Sequence, residues 1–145
     1  MSYVLIRCTQ DLPIDLARLG VDARDNGYGS IDRLSVEWWD GSNRFARAGE
    51  GLLAVYKDGM LAGIGGLTIE PTDASLFRMR RFYVHSAMRR AGVGRLLVET
   101  LLESARSKTE AVTVRAGTPE ASDFWVKVGF YPRMAQSYTH LHPFV

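Results

Sequence analysis

The chain has 145 residues, 46% apolar and 23% charged, which is the size and composition of one folded domain and excludes a disordered segment. Its single cysteine, Cys8, excludes an internal disulfide framework and a thiolate metal cluster. The net charge is only +2, yet residues 1–77 carry seven basic and eleven acidic side chains while 78–115 carry nine basic and three acidic.

In chain order, residues 3–8 read as a first strand, and Asp11 and Pro13 open a helical stretch through Leu16, Leu19 and Val21 that is lost at Asn26-Gly27-Tyr28-Gly29. Ser30 is placed to cap a second helix with Ile31, Leu34 and Trp38 on one face, and Gly41 to end it. Residues 41–51 read as a loop. A hairpin follows, 52–56 and 60–69 about the turn pair Asp58-Gly59, with Gly63, Gly65 and Gly66 announcing a bulge or a close backbone approach. A turn at Pro71-Thr72-Asp73 leads to a long strand, 76–84, rich in Arg, Phe and Tyr. Val93, Leu96, Leu97, Leu101 and Ala105 form the apolar stripe of a helix over 91–108. A strand at 111–116, a helix capped by Thr118 with Pro119 first and Gly129 last, and short strands at 130–131 and 138–144 complete the chain.

The strand–helix–strand unit at 76–116 predicts a parallel pair, and the other strands should be antiparallel. The expectation is one domain spanning residues 1–145, of mixed α/β class. The uncharged run at 59–69 is far short of the roughly 20 residues of a membrane-spanning helix, and the N-terminus has no secretory pattern. A cytoplasmic protein without membrane contact is expected.

Chemistry concentrates at Arg89-Arg90-Ala91-Gly92-Val93-Gly94-Arg95, where a strand gives way to a basic turn, two glycines and a helix start. The first turn of a helix leaves N–H groups unpartnered and carries the positive end of the helix dipole. Glycines let a phosphate approach, and arginines add charge-assisted bonds. The P-loop ending Lys-Ser/Thr and the third glycine of the dinucleotide fingerprint are both absent. On spacing alone, a solvated basic helix start with packing glycines explains the stretch equally well.

The run Arg89-x-x-Gly92-x-Gly94 after a strand ending Phe82-Tyr83-Val84 resembles the coenzyme A-binding motif of the GNAT superfamily of N-acetyltransferases. The later helix through Phe124 and Trp125, ending Gly129-Phe130, is similar to that superfamily's, and the element order agrees over nearly the whole chain. The resemblance implies a twisted mixed sheet of six to seven strands with about four helices and a splayed central parallel pair. It implies acetyl-CoA as cosubstrate. Backbone groups of Phe82 and Val84 would hold the pantetheine arm, those across Arg89, Arg90, Ala91, Gly92, Val93, Gly94 and Arg95 the pyrophosphate, and Trp125 would lie near the thioester. Trp38, Trp39, Arg44, Phe45 and Glu50 are candidates for the acceptor side, although Trp38 also fits its helix's core stripe.

The pattern is incomplete for catalysis. Where many members carry a glutamate base on the long strand, this chain has Arg78-Met79-Arg80-Arg81; where many carry a tyrosine acid, it has Trp125. Glu50, Tyr131, Tyr138 and His140 are substitutes that spacing does not separate, so the catalytic residues stay unassigned. Arg78 and Arg80 share a strand face; they favour an anionic acceptor if that face meets the acceptor site, and otherwise are solvated or paired. His140 and His142 share a face but lack a third ligand, so no metal is expected. The reading is acetyl transfer to a primary amine of a small molecule or peptide; the alternative is a catalytically weak acyl-CoA-binding regulatory module. The modest net charge argues against nucleic acid, and exposed edge strands leave a homodimer open.

Overall fold

A computed structural model describes residues 3–144. Seven strands form one sheet in the order β1-β2-β3-β4-β5-β7-β6. They are β1 (Tyr3–Arg7), β2 (Gly51–Lys57), β3 (Met60–Ile69), β4 (Phe77–Val84), β5 (Ala111–Val114), β6 (Tyr131–Pro132) and β7 (His140–Pro143). The β4–β5 pair is parallel and every other neighbouring pair antiparallel, as the sequence predicts.

Four α-helices cover the sheet: α1 (Leu16–Asp25), α2 (Ser30–Asp40), α3 (Val93–Ala105) and α4 (Pro119–Lys127), with a 3-10 turn at Ser86–Met88. On one face α3 buries Val93, Leu97, Val98, Leu101, Leu102 and Ala105 against Leu53, Val55, Leu67, Met79 and Val112. At about 2 kcal/mol for each large aliphatic side chain, this stripe anchors α3 to the sheet centre. On the other face α1 and α2 bury Leu16, Leu19, Ile31, Leu34 and Trp38 against Leu52, Ala54, Ile64 and Tyr83.

Two boundaries and one burial pattern differ from expectation. Ser30 is the first helical residue rather than the cap, which is Gly29. Helix α3 starts at Val93, because Arg90 (φ 67°) and Gly92 (φ 82°) take left-handed conformations that no helix can include. Strand β1 is exposed at Val4, Leu5 and Ile6 alike instead of alternating. Thr118 does cap α4, accepting a hydrogen bond from the Ala121 N–H.

The glycines of β3 are sites of close approach. A Cβ on Gly63 would lie 2.8 Å from Val93, one on Gly65 2.7 Å from the Phe82 ring, and one on Gly66 2.3 Å from Phe45. Opposite Gly65 the register of β4 slips, so Arg81 and Phe82 face one residue of β3, and Arg81 takes φ 60°. This bulge shifts the alternation of β4 by one residue. Met79 and Phe82 therefore face α3, while Arg78, Arg80 and Tyr83 face α1 and α2.

Candidate active site

Strands β4 and β5 pair only at Phe77↔Val112 and Arg78↔Thr113. Beyond Arg78 they part, and β4 runs on for six residues without a partner on that side. The His85 N–H donates to the Ala62 carbonyl on β3, at 2.8 Å. Alternation along the strand then turns the N–H and C=O of Phe82 and Val84 the other way, into the gap. The Val84 carbonyl accepts only a long bond from Arg89 Nε, 3.4 Å. The resemblance implies that Phe82 and Val84 hold a pantetheine arm, and β5 does not pair with them.

The gap leads to the start of α3. Gly92 is the N-cap position, no side chain caps the helix, and the first N–H bonded back into it is that of Leu96, to the Gly92 carbonyl. The N–H groups of Val93, Gly94 and Arg95 are thus the orphan donors of the first turn. Arg89, Arg90, Gly92 and Arg95 are exposed around them. A Cβ on Gly92 would meet nothing within 4 Å, so the space beside this turn is open. Gly94 serves packing instead. A Cβ there would press on Phe124 at 3.0 Å, so its smallness lets α3 and α4 approach. Val93 turns its side chain into the core, and the Ala91 carbonyl accepts from the Tyr3 hydroxyl. Arg89 donates to the Tyr83 hydroxyl (3.2 Å) and lies over its ring; Arg95 is 3.9 Å from Glu99.

Trp125 is 5% exposed and meets Phe82, Phe124 and Phe130 edge to face. It supports Phe82 beside the gap from within the aromatic core.

The five acceptor-side candidates separate. Trp38 is wholly buried and belongs to the core under α2, as its stripe position suggested, while Trp39 is 74% exposed on the outer face of that helix. Arg44 lies over the Trp38 ring and donates to its carbonyl (3.1 Å). Phe45 is buried against Gly66. The Glu50 carboxylate accepts the N–H groups of Arg47 (3.1 Å) and Ile69 (2.9 Å), pinning the loop to the end of β3. Each Glu50 oxygen thus accepts one backbone N–H, and the carboxylate is buried at the junction of loop and sheet.

Of the other substitutes for the base, His140 is hydrogen-bonded, Tyr131 is exposed and Tyr138 is partly buried. His140 is buried, with its ring nitrogens 3.0 Å from Ser122 Oγ and 2.7 Å from Thr139 Oγ1. His142 lies between Phe130 and Phe144, and burial lowers its pKa. Tyr131 is exposed on the short edge strand. Cys8 is buried at the far side of the sheet, and burial pushes its thiol up to about 11, leaving it inert.

The structure adds residues that the sequence did not single out. On the α1/α2 face, where β4 leaves β5, Glu70 is buried under Arg78 at 3.6 Å. It accepts from Thr72 N (2.6 Å), Ser137 Oγ (3.0 Å) and Thr113 Oγ1 (3.3 Å). Burial would raise its pKa, but the bonds from Thr72 and Ser137 and the Arg78 charge outweigh it and hold the carboxyl below its usual range. Glu37, on α2, accepts both Nε (3.1 Å) and Nη2 (2.9 Å) of Arg81. Asp22, on α1, accepts from the Tyr83 hydroxyl (2.6 Å), the Ser86 N–H (2.8 Å) and the Ser86 hydroxyl (2.6 Å). Apart from Thr72 and Arg78, these partners lie 43 to 67 residues away along the chain, so no local spacing announces them.

No curated protein matches the chain. Among solved structures, it is similar to an inferred acetyltransferase from Exiguobacterium sp. 255-15, with 19% identity over 99% of this chain and 94% of that one and a TM-score of 0.88. Glucosamine-6-phosphate N-acetyltransferase from Arabidopsis thaliana aligns at 17% identity over 96% and 98% of the two chains, TM-score 0.64. The GNAT family N-acetyltransferase YhbS from Escherichia coli, in complex with CoA, aligns at 19% identity over 97% and 81%, TM-score 0.65. The model of the acetyltransferase (GNAT) family matches residues 17–130, which takes in both the free β4 edge and the start of α3, and the chain belongs to that family.

Proposed function

We propose that this protein transfers an acetyl group from acetyl-CoA to a primary amine of a small molecule or peptide, the amine attacking the thioester directly. The observation that carries this reading is the meeting of the free β4 edge at Phe82 and Val84 with the uncapped first turn of α3. The edge would take the pantetheine arm as an added strand. The N–H groups of Val93, Gly94 and Arg95, with Arg89 and Arg90, would hold the pyrophosphate. Bound acetyl-CoA supplies an activated acyl group on a thiol of pKa about 8.5, which leaves with little help from an acid. The setting proposed is cytoplasmic, with no metal, nucleic acid or membrane partner.

Deprotonation of the amine is assisted by the site's field. Glu37, Glu50 and Glu70 are each held by two or more donors. A lysine-like amine, of pKa near 10.4, is neutral in only about one molecule in 10³ at pH 7. The guanidiniums of Arg78 and Arg80 beside the gap disfavour an ammonium there and so favour the free base.

The engagement of all three carboxylates also favours the second reading, an acyl-CoA-binding module without turnover. Calorimetry with acetyl-CoA, followed by thiol release across an amine panel, separates the two. Micromolar binding abolished by Gly92→Glu, with acceptor-dependent thiol release, supports the transferase. Binding without release supports the module, and no binding by the wild type overturns both.

A further inference from the structure

The basic block of β4 is only partly neutralised. Arg81 is paired with Glu37 and Arg78 with Glu70, but Arg80, between them, has no such partner among the described residues. Its Nε is shut off from solvent with no hydrogen-bond acceptor among those residues. Burial lowers the pKa of Arg80, and the charges of Arg81 and Arg78 lower it further, against weaker support from Glu37 and Glu70. Arg115, exposed just past the end of β5, is close enough to act on Arg78 in the same sense. Four guanidiniums therefore share this corner with two carboxylates, both already engaged.

A half-buried cation is costly unless an anion meets it. Folding stability alone would place a carboxylate or an apolar residue at position 80. The arginine instead points to the α1/α2 face at the strand fork, one residue before the Arg81 bulge and two before Phe82, about 7 Å along the strand. A guanidinium presents a planar fork that fits a carboxylate or a phosphate.

We propose that Arg80, assisted by Arg78 and Arg115, forms a subsite for an anionic group carried by the acceptor, so that the substrate is an amine bearing a carboxylate or a phosphate. This rests on the acetyltransferase reading for its use, but the anion subsite has its own readout. The anion on the acceptor supplies the missing counter-charge, and the acceptor's amine then lies toward the Phe82 end of the gap.

The test is calorimetry on CoA-saturated protein, in which CoA occupies the phosphate-binding start of α3. Two matched pairs of amines are titrated: O-phosphoethanolamine against ethanolamine, and β-alanine against β-alaninamide. The proposal expects the anionic member of at least one pair to bind about ten- to hundredfold more tightly, the range for a hydrogen bond to a charged group. Which pair discriminates tells phosphate from carboxylate. Arg80→Gln should remove the preference and Arg80→Lys should restore part of it, with CoA affinity unchanged in both. Arg115→Gln, at an exposed position, should weaken it without risk to folding. Equal binding within both pairs, or a preference that survives both Arg80→Gln and Arg115→Gln, overturns the subsite. Should the protein not bind CoA, the same titrations on the free protein read the subsite directly. Arg80-dependent anion binding without thiol release would then keep the subsite and remove the transferase, whereas thiol release indifferent to the anion would do the reverse.

Discussion

Asp22 ties three segments together with one carboxylate: its own helix α1, Tyr83 near the end of β4, and Ser86 at the entry to the basic turn before α3. Burial would raise its pKa, but the bonds from Ser86 and Tyr83 and the nearby His85 charge prevail and bring it from 3.8 to about 2. The same contact pushes the Tyr83 phenol up, after burial, so it stays protonated. A depressed carboxyl stabilises the fold above its unfolded pKa, and that contribution is lost as pH falls through the folded one. Asp22→Asn should therefore cost about 2 kcal/mol at pH 7 by urea denaturation, and the difference from wild type should shrink between about pH 4 and pH 2. Gly65 offers a steric counterpart. Its absent Cβ is replaced by the Phe82 ring, so Gly65→Ala should displace the ring that borders the gap. We expect a loss of about 1–3 kcal/mol in stability and weaker acetyl-CoA binding. Of these residues only the glycines were legible in the sequence, because a glycine within a strand is a local anomaly. Asp22 and Glu70 look like any acidic residues until the chain brings their donors to them.

Among the elements, α3 and β4 carry the proposed site, and each departs from regularity there. The apolar stripe of α3 was plain from the sequence. Its start was not, since composition alone extends the helix back to 91 and only the left-handed Arg90 and Gly92 stop it at Val93. Gly92→Ala separates conformation from space at that point. The position has φ 82° with nothing within 4 Å of a Cβ, so alanine should cost about 1–2 kcal/mol in stability yet leave acetyl-CoA binding within about tenfold. Gly92→Glu, in contrast, brings bulk and negative charge to the phosphate donors and should abolish it. An equal loss with alanine would mean that the glycine serves the loop's conformation rather than its openness. In β4 the bulge at Arg81 decides which side chains meet α1 and α2. Without it Tyr83 would point toward α3, away from Asp22. The sequence hinted at a bulge through its glycines on β3, but not at which β4 residue would absorb it.

For the whole molecule, the two faces of one sheet differ: α3 and α4 pack on one, and α1 and α2 on the other, where Ser137 also reaches Glu70. Because Glu37, Glu50 and Glu70 on that second face are all engaged, the free-amine fraction should govern the rate. Log kcat/KM for thiol release should climb with a slope near one from about pH 6 toward the amine's own pKa; a plateau near pH 7 would reveal a protein base instead. The sequence by itself determined the order and kind of nearly every element, the parallel pair and the basic turn before α3. These rest on short-range rules: periodicity, caps, turn residues and the handedness of a strand–helix–strand unit. Only the tertiary structure decided that β4 and β5 part after Arg78, that Trp38 is buried in the core and Glu50 bonded to the loop and β3, and that Arg78 and Arg81 find carboxylate partners while Arg80 finds none among the described residues. Those outcomes depend on which distant carboxylate reaches which guanidinium, and pairings 8 to 44 residues apart are set by the packing of helices on the sheet rather than by any local pattern.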